Sequence, residues 1–206
     1  MNPATTALVL TGYQEDYFSN TGALADFLPD RLGIQTLLTR TCELVERLAP
    51  TPTLIISTPI CFTRDYSELV APMGILEAIR ARGAFRTGSP GVATVPELKC
   101  FGDRLLEVQG KRGLNAFNQT DLAQVLESRG IKDVVFAGVV TSLCIDSSAR
   151  SAFERGFRVH VVSDCLGART EFEQTFYLEQ VFPLYASVLS SLDLAERLRL
   201  PCEVSQ

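Results

Sequence analysis

The 206-residue sequence lacks several features that mark whole classes of protein. It has no run of lysine or arginine, and its net charge is −5, so we expect no nucleic-acid partner. No stretch approaches the roughly 20 apolar residues of a membrane-spanning helix, so we expect no membrane partner. The segment 1–7 has no basic residue, which predicts the absence of a signal peptide.

The six cysteines are scattered and form no C-x-x-C pair. Without an export signal, this pattern favours reduced thiols in the cytoplasm over a disulfide framework. Hydrophobic residues make up 46% and charged residues 21%, a balance typical of folded proteins. The length and the lack of internal repeats or linkers predict a single domain over residues 1–206.

Short apolar runs alternate along the chain with segments of helical periodicity. Strands are predicted at residues 7–10, 53–57, 105–108, 134–140, 157–162 and 186–189. Helices are predicted at residues 33–48, 68–82, 120–130, 142–155, 171–181 and 191–199, and segment 83–104 should have little regular structure. Continuous apolar strands separated by helices predict a three-layer α/β fold, Rossmann-like, with a mainly parallel sheet of about six strands. In such folds ligands bind beyond the carboxyl ends of the strands.

Cys144 follows the strongest predicted strand and lies in the first turn of the next predicted helix. The free N–H groups and the dipole of a helix start favour a thiolate, which is the reactive form of cysteine. The same N–H groups could hold the oxyanion that forms when a thiolate attacks a carbonyl. Most cysteines are small buried apolar residues, but this position makes Cys144 the candidate nucleophile.

Lys111 follows a short predicted strand and precedes a turn. A lysine at such a position is normally a solvated surface charge. Only proximity to Cys144 would make it a thiolate partner, and sequence spacing does not test that.

Taken together, these motifs resemble the isochorismatase-like cysteine hydrolases. The nucleophile motif matches at 138–144 (GVVTSLC), and the likeness continues through 146–164. The lysine motif matches at Lys111 with 115–122, and the end of the first-strand motif matches at Gln14 and Asp16. The matches occur in the family's order and span nearly the whole chain.

The resemblance implies an enzyme that hydrolyses a C–N bond of a small amide or carbamoyl-type substrate through a covalent acyl-enzyme on Cys144. Lys111 would stabilise the thiolate, and no cofactor would be needed. The resemblance further implies a homodimer or homotetramer and a cis peptide bond between Val139 and Val140. The residues it implies as substrate-binding are Gly12, Tyr13, Gln14, Phe117, Val140 and Thr141.

One position departs from the family pattern. Members usually place an aspartate, the general base, two residues before the glutamine, where this chain has Gly12. A nearby carboxylate or a water could replace it, or hydrolysis could be impaired. Asp16 matches a family position that is usually structural, which makes Glu15 the freer candidate for a catalytic carboxylate.

A second departure concerns metal. Nicotinamidase-like members bind zinc through an aspartate and histidines after the second strand, but residues 58–65 contain no histidine. The only histidine, His160, lies between two valines in a predicted strand, so we expect it to be structural. One histidine does not build the usual site. We therefore predict no metal, which argues against nicotinamide as the substrate.

Three functions stay open at this point. The first is the amide-type hydrolase. The second is a catalytically impaired member that binds a small ligand or a protein in the same cleft, which Gly12 favours. The third is the vinyl-ether hydrolysis of true isochorismatases, which needs no cysteine nucleophile and is disfavoured by Cys144.

Overall fold

The computed structural model describes residues 1–199 and contains one parallel sheet of six strands. The strands are β1 (Thr6–Thr11), β2 (Leu54–Thr58), β3 (Leu106–Glu107), β4 (Asp133–Val139), β5 (Arg158–Gly167) and β6 (Ser187–Leu189). Their order across the sheet is β3-β2-β1-β4-β5-β6. This order places β1 and β4 at the centre and confirms the predicted Rossmann-like α/β fold.

Eight α-helices accompany the sheet within residues 1–199. They are α1 (Glu15–Phe18), α2 (Arg31–Leu48), α3 (Ile75–Arg82), α4 (Pro96–Lys99), α5 (Leu122–Ser128), α6 (Asp146–Glu154), α7 (Glu171–Phe176) and α8 (Ser191–Arg197). None of the helices in this range is long and apolar enough to cross a lipid bilayer.

Strand β1 shows why the sheet is covered on both faces. All six of its residues are buried, and alternate side chains enter two separate core clusters. Leu8 and Leu10 pack in one cluster with residues of α2 and α8, whereas Ala7 and Val9 pack in the other with residues of α5 and α6. Because both faces are buried, the strand reads as a continuous apolar run.

Several element boundaries differ from the sequence prediction, and two of these differences have a clear physical reason. The helix predicted from residue 68 begins only at Ile75, because Gly74 adopts a φ of +58° that interrupts helical geometry. Strand β5 continues to Gly167 instead of ending at residue 162. Its polar residue Asp164 is accommodated because its carboxylate accepts hydrogen bonds from the backbone N–H and the hydroxyl of Ser191, at 2.8 and 2.7 Å.

Candidate active site

Three central strands end side by side at one edge of the sheet. Thr11, the last residue of β1, pairs with Thr58 of β2 and Gly138 of β4. The chain leaves β4 through a π-helical turn, Thr141–Ile145, in which the N–H of Ile145 donates to the carbonyl of Val140 at 3.2 Å. Such turns are rare and concentrate at functional sites. This turn carries Cys144 and leads into α6.

Lys111 and Cys144 meet at this edge. The Lys111 Nζ donates to the Cys144 Sγ at 3.4 Å, and the two residues are 0% and 1% exposed. The carbonyl of Lys111 accepts a hydrogen bond from the N–H of Cys61 at 3.1 Å, which fixes the lysine backbone beside the segment after β2. The structure thus brings together the two residues that the sequence singled out separately.

Lys111 is unusual for a lysine because its side chain is completely buried. Burial lowers the pKa of Lys111, and the charge and hydrogen bond of Cys144 oppose this effect only in part. Within residues 1–199, no aspartate or glutamate forms an ion pair with Lys111. The Cys144 sulfur is therefore the side-chain partner of the buried Lys111 Nζ in this part of the chain.

Tyr17 of α1 is a third buried group, and the sequence analysis missed it. It lies within electrostatic range of Cys144. Burial, and then the charge of Cys144, raise the pKa of the Tyr17 phenol well above its ordinary value, so the phenol stays neutral. Its ring packs on Phe85 with centroids 5.1 Å apart. An aromatic residue in this motif is typical of a core position, so no sequence signal distinguished it.

Tyr13 and Gln14, both implied as substrate-binding, are occupied by other contacts. The Tyr13 hydroxyl pairs with that of Thr41 at 2.7 Å in the core. The Gln14 amide accepts from the N–H of Ile60 and donates to its carbonyl, both at 2.8 Å, and also donates to the carbonyl of Val92 at 2.7 Å. These contacts join three segments at the edge of the site.

The other implied substrate-binding residues are buried as well. Val140 and Thr141 lie four and three residues before Cys144 in the chain, and both are 0% exposed. Phe117 packs on Phe157, with the Arg155 guanidinium 4.9 Å from the Phe117 ring centroid. Val140 and Thr141 belong to the segment that leads from β4 to Cys144, whereas Phe117 belongs to the core on the α5 and α6 side.

The two candidate carboxylates have different surroundings. Asp16 is buried and accepts hydrogen bonds from the N–H groups of Phe85 and Ala23, at 2.6 and 3.2 Å, so it holds two loops together. Glu15 is half-buried and lines an open cavity with residues of segments 19–23 and 89–93. No hydrogen bond or ion pair joins the Glu15 side chain to Lys111 or Cys144 in residues 1–199.

Residues 6–193 match the family model of the Isochorismatase domain. The chain belongs to the isochorismatase family. It is 31% identical to nicotinamidase 3 of Arabidopsis thaliana over 115 residues, which cover 56% of this chain and 58% of that protein. It is 37% identical to maleamate amidohydrolase of Pseudomonas putida over 92 residues, which cover 45% and 43%. The chain therefore matches about half the length of these curated relatives.

Among solved structures, a cysteine hydrolase from Pseudomonas syringae superposes with a TM-score of 0.83. The superposition covers 96% of this chain and 93% of that one, at 19% sequence identity. At this identity the likeness shows a shared fold.

The isochorismatase-family aspartate has no room at Gly12. The glycine has a φ of +79°, and a Cβ added to it would lie 2.5 Å from the Val139 carbonyl oxygen and 2.9 Å from its Cγ2. The peptide bond between Val139 and Val140 is cis, as the family resemblance implies. The backbone just after β1 thus leaves no space for a side chain at position 12.

The zinc site of nicotinamidase-like isochorismatase relatives does not fit these residues. His160 lies in β5 near the amino ends of the strands, where its Nε2 pairs with Asp133 at 3.0 Å, at the opposite end of the sheet from Cys144. Within residues 1–199, no three His, Cys, Asp or Glu side chains are grouped to hold a metal ion.

Proposed function

We propose that this isochorismatase-family protein hydrolyses the C–N bond of a small amide or carbamoyl-type substrate through an acyl-enzyme on Cys144. The observation that carries this proposal is the buried contact of 3.4 Å between the Lys111 Nζ and the Cys144 Sγ. The relationship to a maleamate amidohydrolase supports an amide substrate. No metal or cofactor enters the mechanism.

In this mechanism Lys111 is the proton carrier. An ammonium beside the sulfur favours the thiolate, which attacks the carbonyl carbon and forms a tetrahedral oxyanion. We assign the donor of a hydrogen bond to that oxyanion to the Tyr17 phenol, because it is buried, neutral and within electrostatic range of Cys144. When the C–N bond breaks, the leaving amine takes its proton from the Lys111 ammonium, and a thioester to Cys144 remains.

Hydrolysis of the thioester returns the proton. A water attacks the thioester carbon and gives one proton to the neutral Lys111 amine, and the C–S bond then breaks to release the carboxylic acid and the thiolate. Burial lowers the pKa of Lys111, which makes the neutral amine accessible for this step. Lys111 thereby both donates and accepts the proton, whereas family members divide these two roles between the lysine and the aspartate.

The proposal is tested first by trapping. Iodoacetamide should label Cys144 faster than any other thiol, and Cys144→Ser should abolish the fast phase. Cys165 is the matched comparison, because it is buried in β5 and burial raises the pKa of its thiol to about 12. If fast labelling survives in Cys144→Ser, another cysteine is the reactive one.

A panel of small amides, followed by intact-mass measurement, tests turnover. Accumulation of acyl adducts on Cys144, together with release of amine, supports the hydrolase. If Cys144 is labelled readily but no amide turns over, the protein is the impaired, ligand-binding member that Gly12 favours.

We also propose, from the family resemblance, that the protein is a homodimer or homotetramer acting in the cytoplasm on a small-molecule substrate. Light scattering of the purified chain tests the assembly. A monomer at micromolar concentration would contradict it.

A further inference from the structure

The short helix α7 makes direct contact with the turn that carries the nucleophile. The Thr141 hydroxyl donates to the Oε1 of Gln174 at 2.7 Å, and the Ser142 hydroxyl donates to the carboxylate of Glu173. Two consecutive residues of α7 thus hold two consecutive residues of the turn. These contacts join positions more than 30 residues apart in the chain.

Both α7 side chains are themselves held in place. The Nε2 of Gln174 donates to the carbonyl of Leu166, near the end of β5, at 3.1 Å. The buried carboxylate of Glu173 also accepts from the Nε of Arg169 at 2.9 Å. The hydroxyl of Thr170 caps the helix by accepting from the N–H of Glu173 at 3.1 Å. The helix is therefore tied to the sheet, and the turn is tied to the helix.

We propose that Glu173 and Gln174 are positioning residues for Cys144. This inference rests on the proposed hydrolase function. The turn Thr141–Ile145 is short, so a rotation at Thr141 or Ser142 moves the sulfur three or two residues later. Holding both hydroxyls keeps the Cys144 Sγ within reach of the Lys111 Nζ. Misplacement of reacting atoms by about 1 Å can cost about 10²-fold in rate, so such tethers have a measurable effect.

Gln174→Met is the sharpest test, because it keeps the length of the side chain and removes all three of its hydrogen bonds, to Thr141, Ser163 and Leu166. We expect kcat and the rate of Cys144 alkylation at pH 7 to fall about 10-fold or more, with KM changed less than twofold. Gln174→Glu keeps an oxygen acceptor for Thr141 but replaces the N–H donor to the Leu166 carbonyl by a second oxygen, so its rates should lie between those of the wild type and Gln174→Met. Glu171→Gln, on the exposed side of the same helix, is the matched control and should leave both rates unchanged.

Thermal unfolding is measured for each variant, and rates are compared at a temperature where every variant is folded. If Gln174→Met does not fold, Ser142→Ala tests the second tether, since it leaves the Glu173 carboxylate paired with Arg169. Its alkylation rate should fall in the same way.

The outcomes separate the two proposals. A wild-type protein whose Cys144 is no more reactive than its other thiols contradicts the hydrolase itself. A reactive wild-type Cys144, with Gln174→Met or Ser142→Ala alkylated and turning over at the wild-type rate, contradicts the positioning role alone. A parallel fall in Glu171→Gln would show that the effect comes from general loosening of α7, which also overturns the inference.

Discussion

Restoring the family aspartate by Gly12→Asp should destabilise this protein and should not increase its activity. The position has a φ of +79°, and the new Cβ would lie 2.5 Å from the Val139 carbonyl oxygen. That oxygen belongs to the backbone between β4 and the nucleophile turn, so the strain falls on the segment that leads to Cys144. The substitution therefore tests whether the active site is built around a glycine.

The expected loss of stability follows from two effects. A left-handed backbone costs a non-glycine residue about 1–2 kcal/mol, although aspartate tolerates it better than most residues. Forcing an atom into a packed backbone contact costs about 1–3 kcal/mol more. The sum of about 2–5 kcal/mol corresponds to a fall in Tm of roughly 10 °C for a chain of this size.

Thermal unfolding of Gly12→Asp, Gly12→Ala and Gly113→Ala measures this directly. Gly12→Ala adds the Cβ without the charge and should account for most of the loss. Gly113 has nothing within 4 Å of its Cβ position, so Gly113→Ala should unfold near the wild-type temperature. If Gly12→Asp kept the wild-type Tm and raised amide turnover tenfold or more, the steric argument would be refuted and the aspartate would be the missing part of the site.

Three further predictions concern titratable residues. Amide turnover should fall at alkaline pH with a midpoint below 10.5, the pKa of an ordinary lysine, because burial lowers the pKa of Lys111. The leaving amine takes its proton from the Lys111 ammonium, so turnover is lost when Lys111 is neutral, and Lys111→Met should abolish turnover. Glu15→Gln should change kcat less than twofold, since in residues 1–199 the Glu15 side chain forms no hydrogen bond or ion pair with Lys111 or Cys144. A loss of about 10²-fold would establish Glu15 as the replacement carboxylate. Asp133→Asn should lower the free energy of unfolding by about 1–3 kcal/mol in urea titrations at pH 7. Burial raises the pKa of Asp133, but hydrogen bonds from Arg158 and His160 outweigh this effect and hold the pKa below 3.8. The stabilisation should therefore be present above pH 3.8, and it should be lost as the pH falls through the lowered pKa of Asp133.

The strands, and the position of Cys144 just after β4, were predictable because the sequence patterns that indicate them are local. A continuous apolar run such as 134–140 is enough to predict a central strand, and the cysteine after it follows from chain order. The contacts that surround the site are not local. Gln174 lies 33 residues from Thr141, and neither residue carries a pattern that indicates the other. Tyr17 looks like an ordinary core aromatic, and only the fold places it near the sulfur.

Gly12 shows a second limit of sequence-based prediction. The sequence revealed that the family aspartate was absent, but the positive φ and the close approach of Val139 are properties of the folded backbone. Strand β5 is similar: beyond residue 162 it pairs with β4 through Leu166 and Gly167 after a register shift, and Ser191 of a distant helix donates hydrogen bonds to its Asp164. Residues after 199, which include Cys202, lie outside the described part of the chain.

The missing aspartate and the properties of Lys111 are linked through charge. In a site that contains an aspartate, a lysine and a thiolate, the carboxylate would favour the ammonium form and raise the pKa of the lysine. With Gly12 in that position, no carboxylate opposes the effect of burial, which lowers the pKa of Lys111. The neutral amine that thioester hydrolysis needs thereby becomes easier to reach. In the proposed mechanism, the substitution that removes one proton carrier also makes the remaining one better suited to act as the base.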